Sequence, residues 1–276
     1  MRTTVYLAMT LAVFLCLTGG VLAAEPIILG CPLPSAFLYG WDAERAIILA
    51  VEEINANGGV NVSGTMRPFK VDLMDSRDLE PGVPVSEALL ALEKLILDKK
   101  ADFILGGPVR SEAALAAMPL LSKYKKVSIV TTGVLTPKYH ALVEKQYDKF
   151  KYCFRIHGEA TWLIKEILTC LIEIRQKFGL DRVFIMVQDV AHARASGDIL
   201  SKVAVEKGFK ISGLEIYPTG TTDFSMGLVK AQKAGSQVLS IWMDMPESAI
   251  LLKQWQKYRT GLNVQVNSSC RLCLWL

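Results

Sequence analysis

The sequence predicts an α/β protein with parallel, doubly wound sheets that are covered by helices on both faces. One observation behind this prediction is the alternation of short apolar runs with helical runs after Pro26. Another is the stretch Ala101–Leu135, which reads as strand, loop, helix, strand and loop, with Gly106-Gly107-Pro108 ending its first apolar run. Both loops would emerge beyond the carboxyl ends of neighbouring strands, where open α/β folds bind ligands.

The N-terminus resembles a secretory signal peptide. Arg2 precedes the apolar run Val5–Ala23, and small residues lead from that run to Glu25. We therefore expect cleavage near Ala23 or Ala24 and export of the mature chain. An uncleaved membrane anchor is the competing interpretation, because the run approaches the length of a spanning helix.

The first half of the mature chain alternates as the fold class requires. Strand Ile27–Leu33 precedes a Pro/Ser turn, and a helix from about Asp42 to Asn55 follows, with Ala46, Leu49, Ala50 and Ile54 at helical spacing. Its end is indicated by two glycines. The elements that follow are predicted as strand Phe69–Asp75, helix Val85–Asp98, strand Asp102–Leu105, helix Glu112–Tyr124 with Ser111 as N-cap, and strand Val127–Val130.

A polar connection between Thr136 and Tyr152 interrupts this alternation, and we interpret it as the boundary between two lobes. The second half is predicted as strand Cys153–Ile156, helix Trp162–Phe178, strand Val183–Val187, helix Ser196–Lys207, strand Lys210–Tyr217, helix Phe224–Ala234, strand Val238–Met243 and helix Glu247–Tyr258. The resulting segments are a signal peptide (1–24), a first lobe (25–145), a second lobe (146–266) and an aberrant tail (267–276).

Composition and motifs exclude several functions. The formal net charge of +4 comes from interspersed lysines and arginines, which indicates a solvated mixed-charge exterior and argues against a nucleic-acid surface. Cys31, Cys153 and Cys170 lie inside apolar patterns and are expected to be buried thiols. The C-x-x-C of Cys270 and Cys273 has no helix after it and is interpreted as incidental.

The chain also lacks the common catalytic signatures. It contains no G-x-G-x-x-G after a strand, no phosphate-binding P-loop, no H-E-x-x-H and no G-x-S-x-G. His140, His157 and His192 are scattered, so neither a metal site nor a nucleophile–base pair is indicated. We predict a binding protein without cofactor, metal or catalytic residues.

The run PLPSAFLYGWDAERAIILAVEEINANGGVNVSG resembles the opening of the type I periplasmic solute-binding proteins, and in particular the branched-chain amino-acid group of ABC-transporter substrate-binding proteins. GGPVRSEAALAAMP, TTGVLTP, VQDVAHARASG and TGTTDFSMGLVKAQKAGSQVL follow in the order and spacing of that group. The resemblance extends over about Ile27 to Val266. It implies two α/β lobes that are joined by a hinge and close on a solute.

The resemblance implies ligand contacts in five loops. In the first lobe, Tyr39 matches an aromatic that covers the ligand, Ser111 matches the hydroxyl-rich loop that holds its carboxylate, and Gly133 matches a position whose backbone meets the solute. Each residue also has a purely structural interpretation: Tyr39 as a packed surface tyrosine, Ser111 as a plain N-cap and Gly133 as a turn glycine.

In the second lobe, Ala193 stands where many relatives have a tyrosine, and the neighbouring His192 is a candidate replacement. Asp244 is a candidate partner for the solute's amino end. A solvated loop histidine and a helix-capping aspartate are the competing interpretations.

Two departures from the group stand out. Arg110 occupies a position where Ser or Thr is common, and its guanidinium would favour anionic solutes. Other amino acids and aromatic or aliphatic carboxylates are therefore also candidate solutes. Family members also continue beyond the end of this chain, which suggests a C-terminal truncation. A first lobe without its returning elements would leave apolar strand faces open to solvent.

These observations predict a periplasmic substrate-binding subunit of an ABC importer. Its expected partners are an amino acid or related small carboxylate and a permease in the inner membrane. The alternative is an extracytoplasmic ligand-sensing domain that reports to a signalling partner.

Overall fold

The computed structural model describes residues 24–243, 247–258, 264–267 and 270–273. Within these ranges the chain forms two five-stranded sheets and a two-stranded hairpin. We call the first sheet with its helices (27–155) the first lobe, and the second sheet with its helices (160–273) the second lobe. Residues 1–23 of the predicted signal peptide lie outside the described residues.

The first lobe contains, in chain order, β1 (Ile27–Leu33), α1 (Leu38–Ala56), β2 (Val60–Val62), β3 (Thr65–Arg67), β4 (Phe69–Asp75), α2 (Val85–Leu97), β5 (Phe103–Gly106), α3 (Ser111–Tyr124), β6 (Val127–Val130), α4 (Lys138–Lys145), α5 (Tyr147–Phe150) and β7 (Cys153–Arg155). Its sheet has the order β4-β1-β5-β6-β7, and every pair is parallel. The sequence analysis missed the antiparallel hairpin β2–β3.

The second lobe contains α6 (Ala160–Phe178), β8 (Arg182–Gln188), α7 (Ala191–Glu206), β9 (Lys210–Tyr217), α8 (Ser225–Lys233), β10 (Val238–Trp242), α9 (Glu247–Tyr258), β11 (Val264–Asn267) and β12 (Cys270–Cys273). Its sheet has the order β12-β11-β10-β8-β9. All pairs are parallel except β11–β12, which is antiparallel. The predicted doubly wound α/β class is confirmed.

The strand that the sequence analysis assigned to the start of the second lobe belongs to the first sheet. β7 pairs with β6 through Ser128 and Cys153, so the chain leaves the first sheet only after Arg155 and not at residue 146. The predicted polar connection is in fact α4 and α5, which bury Tyr139 and Phe150 in the same core as Cys153. Because α4 and α5 pack on this core, the chain comes back to the edge of the sheet where β7 begins, parallel to β6.

Two helices begin earlier than their sequences indicate. α1 begins at Leu38 instead of Asp42, and α7 begins at Ala191 instead of Ser196. The residues before them, Phe37 and Val190, are extended and make no side-chain capping bond. Because neither start carries a Ser, Thr, Asp or Asn cap, the sequence offers no signal for it.

The two faces of the first sheet are covered unequally. On one face α2 and α3 bury a continuous core that includes Leu92, Ile104 and Met118. On the other face α1 covers β1 and β4, and beside it lies an apolar groove of about 610 Å³. The groove is lined by α1 and sheet residues that include Ala46, Ala50, Ile54, Phe103, Leu105 and Ile129.

The second sheet is packed on both faces. One core joins α6 and α7 to β8 and β10, and the other joins α8 and α9 to the opposite side of the same strands. None of the helices in the described ranges combines the length and the hydrophobicity needed to cross a bilayer.

Candidate functional site

A buried aspartate shapes the loop between β5 and α3. The Asp78 carboxylate accepts hydrogen bonds from the backbone N–H groups of Val109 at 2.8 Å and Arg110 at 2.7 Å, and from the Ser76 hydroxyl at 2.5 Å. Burial raises the pKa of Asp78, while these three donors oppose the rise. The shape of the loop is therefore fixed by groups of the protein itself.

Ser111 lies directly after this loop and is buried. It is the first residue of α3, and Arg110 occupies the N-cap position that the sequence analysis gave to Ser111. The Ser111 Oγ has no hydrogen-bond partner within the described residues, although the residue is only 1% exposed. A buried hydroxyl beside the first amides of a helix is a suitable site for an anionic oxygen.

Two further predicted residues meet the same loop. Tyr39, at the start of α1, packs with Phe37 against Leu79 and Val109. Gly133 has a φ of 67°, and a methyl group there would overlap the Val109 carbonyl oxygen. The structure thus brings Tyr39, Ser111 and Gly133 to one end of the first sheet. For Gly133 the close approach of two loops is a sufficient structural reason.

Arg110 and its neighbour Glu112 connect the two lobes. Arg110 Nε lies 3.3 Å from Glu112 Oε2, while the other carboxylate oxygen, Oε1, accepts a 2.8 Å hydrogen bond from the backbone N–H of Ala191. Ala191 is the first residue of α7 in the second lobe. The positive charge of Arg110 is therefore matched within the protein by a carboxylate that also holds the facing lobe.

The remaining predicted residues lie in the second lobe. His192 belongs to the first turn of α7 and not to a loop, and it is half-buried next to the Glu112 contact. The neighbouring Ala193 is 1% exposed. Asp244 lies outside the described residues.

Two polar side chains of the second lobe were missed by the sequence analysis. Gln188 ends β8 and is 1% exposed, yet neither its Oε1 nor its Nε2 has a partner among the described residues. Glu247 begins α9, and its Oε1 accepts from the backbone N–H of Gly220 while its Oε2 is buried without a partner. Gly220 lies against the first lobe, since a methyl group on it would be 3.3 Å from the Cβ of Pro81.

A cluster around Arg155 marks the point where the chain leaves the first sheet. Arg155 donates to the carbonyl oxygens of Val134 at 2.7 Å and Thr136 at 3.0 Å, and to Glu159 Oε2 at 2.7 Å. Its Nη2 also lies 3.3 Å from His140 Nδ1. Partial desolvation of the ring and the positive charge of Arg155 lower the pKa of His140, while Glu159 opposes the shift, although the residue as a whole is exposed. This cluster ties the crossing segment to the first lobe.

The geometry suits the binding of a small polar molecule. Buried atoms of three chemical kinds have no partner among the described residues and lie at sheet ends near the contacts between the lobes. They are the Ser111 hydroxyl, the Gln188 amide atoms and Oε2 of Glu247. Across the residues that the structure describes, His, Cys, Asp and Glu form no group of three that could hold a metal ion.

Sequence signals for the missed residues were weak. Glu112 directly follows Ser111, and Gln188 is the polar end of an otherwise apolar strand. Asp78 follows β4 in a turn, where an aspartate is unremarkable. Only the folded chain shows that these side chains are buried and which of their atoms are paired.

Two α/β lobes that face each other with buried polar groups between them are the architecture of bilobal solute-binding proteins. A family model described as periplasmic binding protein matches residues 34–269, and this chain belongs to that family. Members of the family are extracytoplasmic proteins that bind solutes and are not enzymes, in agreement with the sequence analysis.

Solved structures agree on the fold. A branched-chain amino acid ABC transporter periplasmic ligand-binding protein from Burkholderia xenovorans aligns with a TM-score of 0.63 and 20% identity, covering 87% of this chain and 60% of that protein. An amino acid ABC transporter substrate-binding protein from Pseudomonas fluorescens aligns with a TM-score of 0.67 and 22% identity, covering 86% and 58%.

A third structure is a solute-binding protein of an ABC transporter from Rhodopseudomonas palustris in complex with 3,4-dihydroxybenzoic acid, with a TM-score of 0.68, 17% identity and coverage of 88% and 61%. The chain spans about three-fifths of the length of each of these solved proteins. A search of curated proteins gives no match.

Proposed function

We propose that this chain belongs to an extracytoplasmic substrate-binding subunit of an ABC importer and that its site takes an amino acid between the two lobes. The observation that carries the proposal is the buried, unpaired Oγ of Ser111 at the N-terminus of α3. A carboxylate there would accept from the hydroxyl and from the first amides of the helix. The delivery partner would be an inner-membrane permease.

The second lobe offers groups for the other end of the solute. The buried Oε2 of Glu247 lacks a donor among the described residues, and a carboxylate favours a positively charged donor such as an ammonium group. The Gln188 amide offers one acceptor and two donors for polar atoms beyond it. This set of groups suits a zwitterion.

The same groups help to distinguish two solute classes. Relatives of this fold include one whose name refers to amino acids and one in complex with a dihydroxybenzoic acid. The phenolic hydroxyl of a hydroxybenzoate could donate to Glu247 Oε2 but would bring no positive charge, whereas an ammonium group would both donate and offset the charge of the buried carboxylate. Arg110 gives little additional preference for anions, because Glu112 already neutralises it. We therefore favour amino acids over aromatic acids.

A thermal-shift screen tests the proposal. Each standard amino acid, its methyl ester and a set of hydroxybenzoates would be added to the protein without its signal peptide. A solute at a hundred times its dissociation constant should stabilise a competent binder by about 2.7 kcal/mol, or roughly 5–10 °C at this size. The ester of the best amino acid should lose most of this shift.

Variants assign the two ends of the solute. Ser111→Ala should weaken amino-acid binding by about 1 kcal/mol, and Glu247→Gln by roughly 1.5–3 kcal/mol, measured by calorimetry. Ser122→Ala, in the last turn of the same helix, is the matched control and should leave affinity unchanged. Stronger binding of hydroxybenzoates than of every amino acid, unaffected by Glu247→Gln, would refute the amino-acid assignment.

A further inference from the structure

The fold gathers lysines at the edge of the first lobe that faces away from the second lobe. Parallel strands begin at one edge of a sheet, and β5, β6 and β7 are neighbours in the first sheet. Each is preceded by lysines, and α4 and α5 add others near the start of β7. The lysine edge, as we call it, consists of Lys99, Lys100, Lys123, Lys125, Lys126, Lys145, Lys149 and Lys151.

Most of these lysines are not held in close ion pairs. All eight side chains are exposed except that of Lys126, which is half-buried. Within the described residues, Lys151 is the member of this group that forms an ion pair, at 3.9 Å from the fully exposed Asp148. At the corresponding edge of the second lobe, Lys210 is paired with Asp181 at 3.0 Å, while Lys207 and Lys233 are exposed.

Two of these lysines have a backbone conformation that glycine adopts more easily than lysine. Lys100 and Lys125 have φ values of 58° and 51°, in the left-handed region that favours glycine. The three left-handed residues at the same edge of the second lobe, Gly179, Gly208 and Gly235, are all glycines. A lysine in this conformation is less favourable than a glycine, so we attribute these two lysines to their charge. Cations at helix C-termini interact favourably with the helix dipole, but both lobes have such helix ends.

An aromatic residue accompanies the charges. Tyr147, in α5, is 64% exposed and lies between Lys145 and Lys149 in the chain. Tyrosine and lysine together are typical of surfaces that contact the headgroup region of a membrane. Lysine side chains spread over a broad edge, without a pocket for one partner, suit a dense layer of phosphates better than a single anion.

We propose that the lysine edge is a docking surface for membranes that contain anionic phospholipids. It lies at the amino ends of the strands, away from the solute groups at their carboxyl ends, so a docked protein would keep its site accessible. The role is independent of the solute and of the proposed import function. It would hold the protein near a bilayer by reversible electrostatic attraction.

Vesicle co-sedimentation tests this proposal. The protein without its signal peptide should bind vesicles with roughly 30 mol% phosphatidylglycerol in phosphatidylcholine, and binding should disappear between about 0.05 and 0.5 M salt. The double variant Lys100→Gly/Lys125→Gly should lower the partition coefficient roughly 10- to 30-fold. Because glycine suits both backbone conformations, its melting temperature should be equal or higher, so lost binding would not reflect unfolding.

A matched control removes the same charge elsewhere. Lys207→Ala/Lys233→Ala changes two exposed lysines at the corresponding edge of the second lobe. It should change vesicle binding by less than about two-fold, because salt screens charges that lie far from the bilayer. Equal binding to pure phosphatidylcholine would assign attachment to the apolar groove and overturn the proposal. Equal losses of vesicle binding in the two double variants would also overturn the proposal. So would a protein that is retained on a polyglutamate resin but binds no vesicles.

Discussion

Single residues at the facing sheet ends fall into two groups by hydrogen bonding. Asp78 and Arg155 are buried charges that hold backbone in place, Asp78 through Oδ2 and Arg155 through Nη1, although Arg155 Nε has no partner among the described residues. Ser111, Gln188 and Glu247 are buried with unpaired atoms. Since a buried polar atom without a partner is unfavourable, the second group is the part of the site that a solute would complete.

The contact between Arg155 and His140 leads to a prediction about acid stability. Nδ1 of His140 accepts from Arg155 only while the ring is neutral, and partial desolvation together with the charge of Arg155 lowers the pKa of His140. As pH falls through the usual histidine pKa of about 6.5, the unfolded chain binds protons first, so folding stability present above that pH is lost. His157, whose pKa is also lowered by burial, adds to the effect.

The measurement is the melting temperature at about pH 7.5 and about pH 5.5, on either side of the histidine range. We expect the wild-type protein to lose stability on acidification and His140→Gln, which keeps an acceptor for Arg155, to lose less. His157→Gln should also reduce the loss, and the double variant should reduce it most. An identical loss in all four proteins would show that the cluster does not respond to protons.

At the level of secondary structure, the N-termini of α3 and α7 face each other across the lobes. Glu112 in the first turn of α3 accepts from the first amide of α7, which combines a charged hydrogen bond with a favourable helix-dipole interaction. Because this contact joins the lobes directly, it stabilises their approach without a solute. Glu112 is thus a residue that holds the two lobes together.

Removal of this contact should open the protein. Glu112→Ala should reduce the ratio of closed to open molecules about five-fold, corresponding to roughly 1 kcal/mol for a partly exposed charged hydrogen bond. The expected readout is a larger radius of gyration in solution scattering without solute. Glu87→Ala, which changes an acidic residue in the first turn of α2, is the matched control. Equal radii for the wild-type and Glu112→Ala proteins would contradict this role of Glu112.

At the level of the whole molecule, the two lobes differ in how completely their sheets are covered. The second sheet has packed cores on both faces, whereas on one face of the first sheet Phe103, Phe154 and Ile156 are 40%, 49% and 70% exposed. Together with the groove beside α1, they form an apolar surface of the kind that promotes association. The sequence analysis expected such a surface on the first lobe.

This surface predicts binding of a hydrophobic dye and self-association. The double variant Phe154→Ser/Ile156→Ser should bind less anilinonaphthalene sulfonate and remain monomeric at higher concentration than the wild-type protein. Leu49→Ser is the control, because Leu49 is 66% exposed but lies on α1 and not on β7 or the segment directly after it. Dye fluorescence that falls equally in the control and the double variant would place the apolar surface elsewhere.

Local patterns in the sequence were sufficient for the fold class and for most elements. β4, β6 and β9 have the predicted bounds, because strands with alternating or continuous apolar residues between turn signals are local features. The starts of α1 and α7 were predicted too late, because a helix start without a capping side chain leaves no local signal in the sequence. The hairpin β2–β3 is short and mostly polar, so it carries no periodic signal.

Tertiary structure alone decided how these elements are arranged. The pairing of β7 with β6 depends on how α4 and α5 pack, and no local pattern reports that packing. Likewise, lysines that are interspersed in the sequence meet at one edge only because parallel strands begin on the same side. The chain thus determined by itself which segments become strands and helices, since that depends on neighbouring residues. Which polar atoms are buried and unpaired depends on contacts between distant segments, and only the folded lobes determine it.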